Sequence, residues 1–278
     1  MRDFRAYLLD LDGVIYRGDD LLPCARELVA WLDATGHQVL YLSNNSVQTP
    51  QEVAAKLARL GMPKPEGRVL TAGWAACRAV AARFPNGRIF VLGVPSVVEM
   101  AAAAGLRPVW QEAEDGPTPD VVLSALDRGL TYARLTRGLQ AILRGAAFYA
   151  VNRDPRLPVE NGFEPGTGAI ATALEYASGV QAQIIGKPAP GIVLEAMRQL
   201  GVTPSETLMI GDGLDLDVVA GRAAGVTTAL VLTGLTSAEQ AREASGDRKP
   251  DLVFPDLCAL LDAARQAATG SNPSSHQP

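Results

Sequence analysis

The chain reads as an α/β protein built on a Rossmann-like, doubly wound parallel sheet, and three observations predict it. Short apolar runs alternate with helix-length segments along most of the chain, the pattern of a parallel sheet with helices on both faces. The runs are near-continuous, as in Tyr7-Leu8-Leu9, Val39-Leu40-Tyr41-Leu42 and Val121-Val122-Leu123, which suits strands buried on both sides. Several of them stop abruptly at small polar or acidic residues, at the edge where open α/β sheets bind ligands.

Composition sets the bounds. The 278 residues are 47% hydrophobic and 20% charged, enough for a sizeable core and too apolar for wholesale disorder. One large domain or two modest ones would fit that length. The net charge of -5 and pI of about 5.2 argue against a nucleic-acid partner, which calls for a basic face. No apolar run reaches the ~18 residues of a membrane span, and the start Met1-Arg2-Asp3-Phe4 enters a strand without a leader pattern. Cys24, Cys77 and Cys258 are far apart and odd in number, so neither a zinc site nor a disulfide framework is expected. A soluble, cytoplasmic protein follows, with no membrane partner. With only His37 and His276 present, a histidine-centred site is not expected.

The elements follow in order. Residues 4–9 are the first strand, and Tyr16 to Asp20 a short hairpin or flap. Pro23 to Thr35 has helical spacing and stops at Gly36. Val39 to Leu42 is a strand running into Ser43-Asn44-Asn45-Ser46. The next helix opens on Thr49, Pro50 and Glu52, a capping box with proline in the first turn. Strands at 68–71 and 88–92 alternate with helices at 74–84 and 95–104. Gln111 to Pro119 is a polar linker. Strand 121–123, helix 132–143 and strand 147–151 lead to a loop rich in Pro and Gly, then to helix 167–177. Strand Gln183 to Ile185 ends at Gly186-Lys187-Pro188. Helix 190–200, strand 207–210, strands near 226–232 and 251–253, and helix 257–268 complete the chain before a polar tail expected to be disordered.

Four strand ends carry chemistry. The first is Asp10-Leu11-Asp12-Gly13, which taken alone is equally a turn. The second is Ser43-Asn44, hydroxyl and amide donors ahead of a helix, which alone would pass for an ordinary loop. The third is Lys187, braced by Gly186 and Pro188. The fourth is Gly211-Asp212 with Asp215 and Asp217, acids that also suit a helix N-terminus, a reading that fits Asp215 best. Taken together they make a charge argument. Asp10, Asp12 and Asp212 on adjacent strand ends would repel by on the order of 4 kcal/mol per pair at ~4 Å and an effective dielectric of 20. Such a cluster calls for a cation. Oxygen-only ligands suit Mg²⁺, which takes phosphate oxygens as well, while Lys187, Ser43 and Asn44 offer donors to the phosphate.

These four motifs, in this order, resemble those of the haloacid dehalogenase (HAD) superfamily of phosphotransferases. The runs Ser43-Asn44-Asn45-Ser46, Gly186-Lys187-Pro188-Ala189-Pro190 and Gly211-Asp212-Gly213-Leu214-Asp215-Leu216-Asp217 resemble its 4-nitrophenylphosphatase-like branch, which includes pyridoxal and phosphoglycolate phosphatases. So do Leu126-Asp127 with Thr131-Tyr132, Asn152-Arg153-Asp154, and Pro165-Gly166-Thr167-Gly168. Ala125 stands where that branch usually has glycine, a packing variation. The stretch from Asp12 to Ser43 is too short for an added domain, whereas that from Ser43 to Lys187 has room for a cap of roughly 100 residues. The resemblance thus implies a HAD core at 1–83 and 183–268, an inserted α/β cap at 84–182 and a tail at 269–278.

The resemblance also implies roles. Asp10 is the nucleophile that forms an aspartyl-phosphate, and Asp12 the general acid and base. Mg²⁺ is held by Asp10, the backbone carbonyl of Asp12, and Asp212, with Asp217 behind them. Ser43, Asn44 and Lys187 bind the phosphate of a small phosphorylated substrate. Asn45 bonds the same loop, and Asn152 and Asp154 are candidate substrate contacts from the cap. Relatives often form dimers through the cap, so a homodimer is within expectation. Dehalogenase-type members lack the second aspartate and transport ATPase-type members carry threonine there, so Asp12 speaks for a phosphatase. A catalytically idle phosphate-binding protein would be expected to have lost an acid, and a phosphomutase to carry its cap between the first two motifs.

Overall fold

The computed structural model describes residues 2–109, 118–159 and 162–270. Most of the linker expected at Gln111–Pro119, and the tail beyond Gly270, lie outside the described residues. The last helix, Leu257–Gly270, runs to the end of the described chain. The chain divides into two compact units. One comprises residues through Tyr41, Ala54–Arg68 and the chain from Ala196 onward; the other comprises Leu42–Val53 and Val69–Glu195. The expected cap, 84–182, falls within the second.

In the first unit the parallel strands follow the order Leu252–Phe254, Thr227–Val231, Thr207–Gly211 and Ala6–Asp10, then the strand that starts at Gln38. Tyr7 pairs with Leu208 and Leu9 with Ile210, and Ile210 with Ala229. Tyr7, Leu8 and Leu9 are fully buried, as an all-parallel strand covered on both faces must be. The chain leaves Ala6–Asp10 toward one side of the sheet and Thr207–Gly211 toward the other, which makes these two neighbours the topological switch point. Helix Ala25–Ala34 turns Leu28, Val29 and Leu32 inward, each such burial contributing roughly 1.5–3 kcal/mol.

That helix also corrects an expectation. Cys24, at its start, is bonded to Cys258 at the start of the last helix, with Cα atoms 5.1 Å apart. The two helices pack together, and a separation of 234 residues leaves no spacing pattern from which the pair could be read. Cys77 remains a buried thiol, its pKa pushed up to about 12 by that burial.

The second unit holds a five-stranded parallel sheet in the order Gln183–Ile184, Ala147–Ala150, Val121–Ser124, Arg88–Leu92, Arg107–Pro108. Phe90, Leu92, Val122, Phe148 and Leu174 form its core with Ala141, Ile142 and Ala171, drawing on helices Tyr132–Leu143 and Thr167–Ser178. Asp127, after the strand Val121–Ser124, is buried in an ion pair with Arg134 at 2.7 Å and accepts the Gly129 N–H at 3.0 Å, so it ties its own loop. The stretch expected as a Pro- and Gly-rich loop contains an antiparallel hairpin, Arg156–Val159 with Gly162–Pro165. Among the described residues no helix is long and apolar enough to cross a membrane.

Candidate active site

The acids of the first unit gather at its switch point. Asp10 is the last residue of its strand, and Asp212 follows the neighbouring strand directly. Asp217 arrives through a π-helical turn at Leu214–Val218, a local widening often found at functional sites. The Gly213 N–H donates to Asp217 Oδ2 at 3.0 Å. One carboxylate oxygen from each of Asp10, Asp212 and Asp217 lies within 4.8 Å of the others, and all three residues are buried. Buried, oxygen-only and convergent, these residues fit a divalent cation of the Mg²⁺ or Ca²⁺ kind. Asp215 instead faces solvent and pairs with Arg248 at 2.7 Å, as an acid at a helix start would.

Asp12 is exposed and sits on a tight turn. The Gly13 N–H donates to the Tyr16 carbonyl at 2.9 Å and the Ile15 N–H to the Leu11 carbonyl at 2.8 Å. The turn leads into a hairpin pairing Tyr16 with Leu21. Burial pushes the Tyr16 phenol well above its ordinary value, and the charges of Asp12 and Asp10 push it further. Lys56 Nζ lies over the Tyr16 ring, 3.9 Å from its centre.

The second unit carries the donors. Ser43 ends its strand, and its Oγ accepts the Asn45 N–H at 3.2 Å. Asn44 Nδ2 donates to the Lys187 carbonyl at 3.3 Å and to Asp154 Oδ2 at 3.5 Å. Asn152 Nδ2 donates to the Asn44 carbonyl at 3.0 Å and to Asp154 Oδ2 at 2.8 Å. Asn45 is taken up by its own turn, accepting the Val47 and Gln48 N–H groups at 2.9 and 2.8 Å. Lys187 is 2% exposed. Burial raises the Asp154 pKa, while the Lys187 charge and the Asn44 hydrogen bond pull it back.

The structure therefore collects the predicted residues into two sets: Asp10, Asp212 and Asp217 in the first unit, and Asn44, Asn152, Asp154 and Lys187, with Ser43 and Asn45 on the Asn44 turn, in the second. Sequence reasoning passed over Arg17 and the turn Thr233–Thr236, which bind the acid loops. Their only trace in the sequence is Thr-Gly after a strand, a signal any turn would give.

Comparison with known proteins agrees with this geometry. Residues 7–107 match the haloacid dehalogenase-like hydrolase family and residues 184–260 a second HAD-hydrolase-like family. The 5'-nucleotidase YutF of Bacillus subtilis is 37% identical over 239 residues, 86% of this chain and 91% of that protein. The p-nitrophenyl phosphatase from Archaeoglobus fulgidus superposes with a TM-score of 0.85 at 32% identity, covering 94% of this chain and 99% of that one. The glycerol phosphate phosphatase Rv1692 from Mycobacterium tuberculosis, solved in complex with magnesium, gives a TM-score of 0.83 at 32% identity over 98% of this chain and 80% of that one. With acids at the switch point, a lysine and amides on the second set of loops, and phosphatases as neighbours over nearly its whole length, the chain belongs to the phosphatases of the haloacid dehalogenase-like hydrolase family.

Proposed function

We propose that this phosphatase hydrolyses a small phosphorylated metabolite through an aspartyl-phosphate on Asp10, with Mg²⁺ as its divalent cation. The observation that carries the reading is the convergence of Asp10, Asp212 and Asp217 within 4.8 Å at the switch point of the sheet. Asp10, Asp212 and the Asp12 carbonyl would hold the ion, with Asp217 beside them. When bound, it offsets negative charge on the carboxylates and phosphoryl oxygens.

The remaining work falls to the chain's own groups. An Asp10 oxygen attacks phosphorus, and the bond from phosphorus to the ester oxygen breaks. Asp12 gives its proton to that leaving oxygen; its exposed place on the turn suits exchange with substrate and water. In the second step Asp12 takes a proton from water, the water oxygen bonds to phosphorus, and Asp10 is released as carboxylate. Ser43, Asn44 and Lys187 hold the oxygens that do not react, as charge-assisted donors. Asn152 and Asp154 act through Asn44 and Lys187, which they orient.

The relatives' names carry a nucleotide, p-nitrophenol and glycerol phosphate, so the shared demand is the phosphate and not the alcohol. We assign the choice of alcohol to the cap, 84–182, and a substrate panel run on the parent and on chimaeras exchanging that segment would test it. The reading as a whole is tested by turnover of 4-nitrophenyl phosphate with and without EDTA, together with acid-quench trapping of phospho-enzyme. We expect loss in EDTA, recovery on adding Mg²⁺, and a trapped phospho-enzyme that Asp10→Asn abolishes. Full turnover without metal, or an Asp10→Asn protein that still turns over, would refute it.

A further inference from the structure

The turn Thr233–Thr236 supplies no group to the chemistry above, yet it holds the acid loops at four points. Thr233 Oγ1 donates to the Gly13 carbonyl at 2.6 Å. Arg17 donates to the Thr233 carbonyl. The Leu235 N–H donates to Asp212 Oδ2 at 2.7 Å, and the Leu214 N–H donates to Thr236 Oγ1 at 3.3 Å. The Asp212 carboxylate lies in a slot between two glycines. A Cβ on Gly234 would fall 1.7 Å from Asp212 Oδ2, and one on Gly13 2.3 Å from it. The Leu235 side chain is 73% exposed, so packing of that side chain does not anchor the turn, and hydrogen bonds do.

We propose that this turn, tied to the Tyr16–Leu21 hairpin by Arg17, is the positioning element of Asp212, and that Arg17 is a positioning residue for the cation site. The terminal torsion of an aspartate is broad and two-fold. A backbone N–H on Oδ2 selects one orientation of the carboxylate at the cation site. Arg17 and Thr233 place that N–H by fixing the turn at its Thr233 end, the Leu214 N–H holds the Thr236 end, and Gly234 makes room for the carboxylate. The plain alternative is a turn that only packs.

The proposal rests on the reading of Asp10, Asp212 and Asp217 as a cation site, and the experiment separates the two. Mg²⁺ affinity is measured by calorimetry on the substrate-free full chain, alongside melting in EDTA, for the parent and for Arg17→Met, Arg17→Lys, Thr233→Val, Thr233→Ser and Gly234→Ala. Outer hydrogen bonds to metal-holding groups are worth about 10–100-fold in affinity. We expect about 10-fold weaker binding in Arg17→Met and Thr233→Val and about 100-fold in Gly234→Ala. Arg17→Lys and Thr233→Ser should return toward the parent, and excess Mg²⁺ should restore much of kcat. Unchanged Mg²⁺ affinity in folded Arg17→Met and Thr233→Val overturns the proposal, whatever Gly234→Ala does. A parent that binds no Mg²⁺ overturns the cation site itself, and this inference with it.

Discussion

The acid set and the donor set are built by different means. In the first unit, backbone groups orient the carboxylates: the Gly213 N–H on Asp217 and the Leu235 N–H on Asp212. Space around Asp212 is set by residues that lack a Cβ. In the second unit, side chains hold side chains, with Asn152 and Asn44 both donating to Asp154 beside Lys187. A set oriented by backbone N–H groups and by missing Cβ atoms is sensitive to added bulk. A set held by side chains depends on the charge of each member, and Asp154 is a half-buried acid whose charged form is costly. On the function proposed above, the first would serve bond making and breaking, where tenths of an ångström count, and the second would grip the phosphate.

Kinetics can sharpen that contrast. Asp12→Asn should give the largest effect, because general acid catalysis is worth ~10²–10⁴-fold. For an alkyl phosphate most of this should vanish. For 4-nitrophenyl phosphate, whose phenolate leaves unprotonated, phosphorylation of Asp10 should suffer less, and a burst of nitrophenolate should appear. Single-turnover kinetics with both substrates reads this directly, and an equal loss for the two removes Asp12 as the acid. Lys187→Ala should come next, at about 10²–10³-fold, the cost of one donor to developing charge. Its loss should be the same for both leaving groups, since a grip on the phosphate ignores the alcohol. Unchanged kinetics in a folded variant would return Lys187 to a passive role.

Asp154→Asn should be the smallest of the three, and it shows in stability. The folded pKa of Asp154 lies above its ordinary 3.8 because burial disfavours the charge. The folded state therefore holds this proton more tightly than the unfolded state. Stability present below pH 3.8 is lost as pH rises through the raised folded value. Melting temperatures of parent and Asp154→Asn, measured from below that pH upward, should diverge in favour of the variant and then run parallel. A constant difference would mean that partial burial does not hold the Asp154 proton in the folded state.

How much of this the sequence showed depended on the length scale of the signal. Strand ends Asp10-Leu11-Asp12-Gly13 and Gly211-Asp212 were legible because apolar runs stop there within two residues. The capping box at Thr49 was equally local, and the structure shows both of its bonds, Glu52 N–H to Thr49 Oγ1 at 3.2 Å and Thr49 N–H to Glu52 Oε2 at 2.7 Å. The hairpin Arg156–Pro165 was not legible, since Pro and Gly read as loop whether or not two short runs pair. The turn at Thr233 was invisible for another reason. The Leu235 N–H, which any residue would have, and the Thr233 hydroxyl reach Asp212 and Gly13 through sheet order and not through any motif. The Cys24–Cys258 pair depends on the packing of two helices from opposite ends of the chain, which no local pattern encodes.

That bond gives the molecule a ring. Everything between Cys24 and Cys258, including the second unit, inserted as Leu42–Val53 and Val69–Glu195, lies inside one covalent circle. A single cut anywhere in it yields an opened loop and not two fragments. In the chain-entropy picture a circle of this size restricts the unfolded state by on the order of 5 kcal/mol. The first unit, assembled from three separate stretches of chain, thus does not depend on backbone continuity through the insert to keep its pieces in one molecule. The insert is free to vary in length or be nicked while the parts that carry Asp10 and Asp212 stay joined, for as long as the surroundings keep the two sulfurs oxidised.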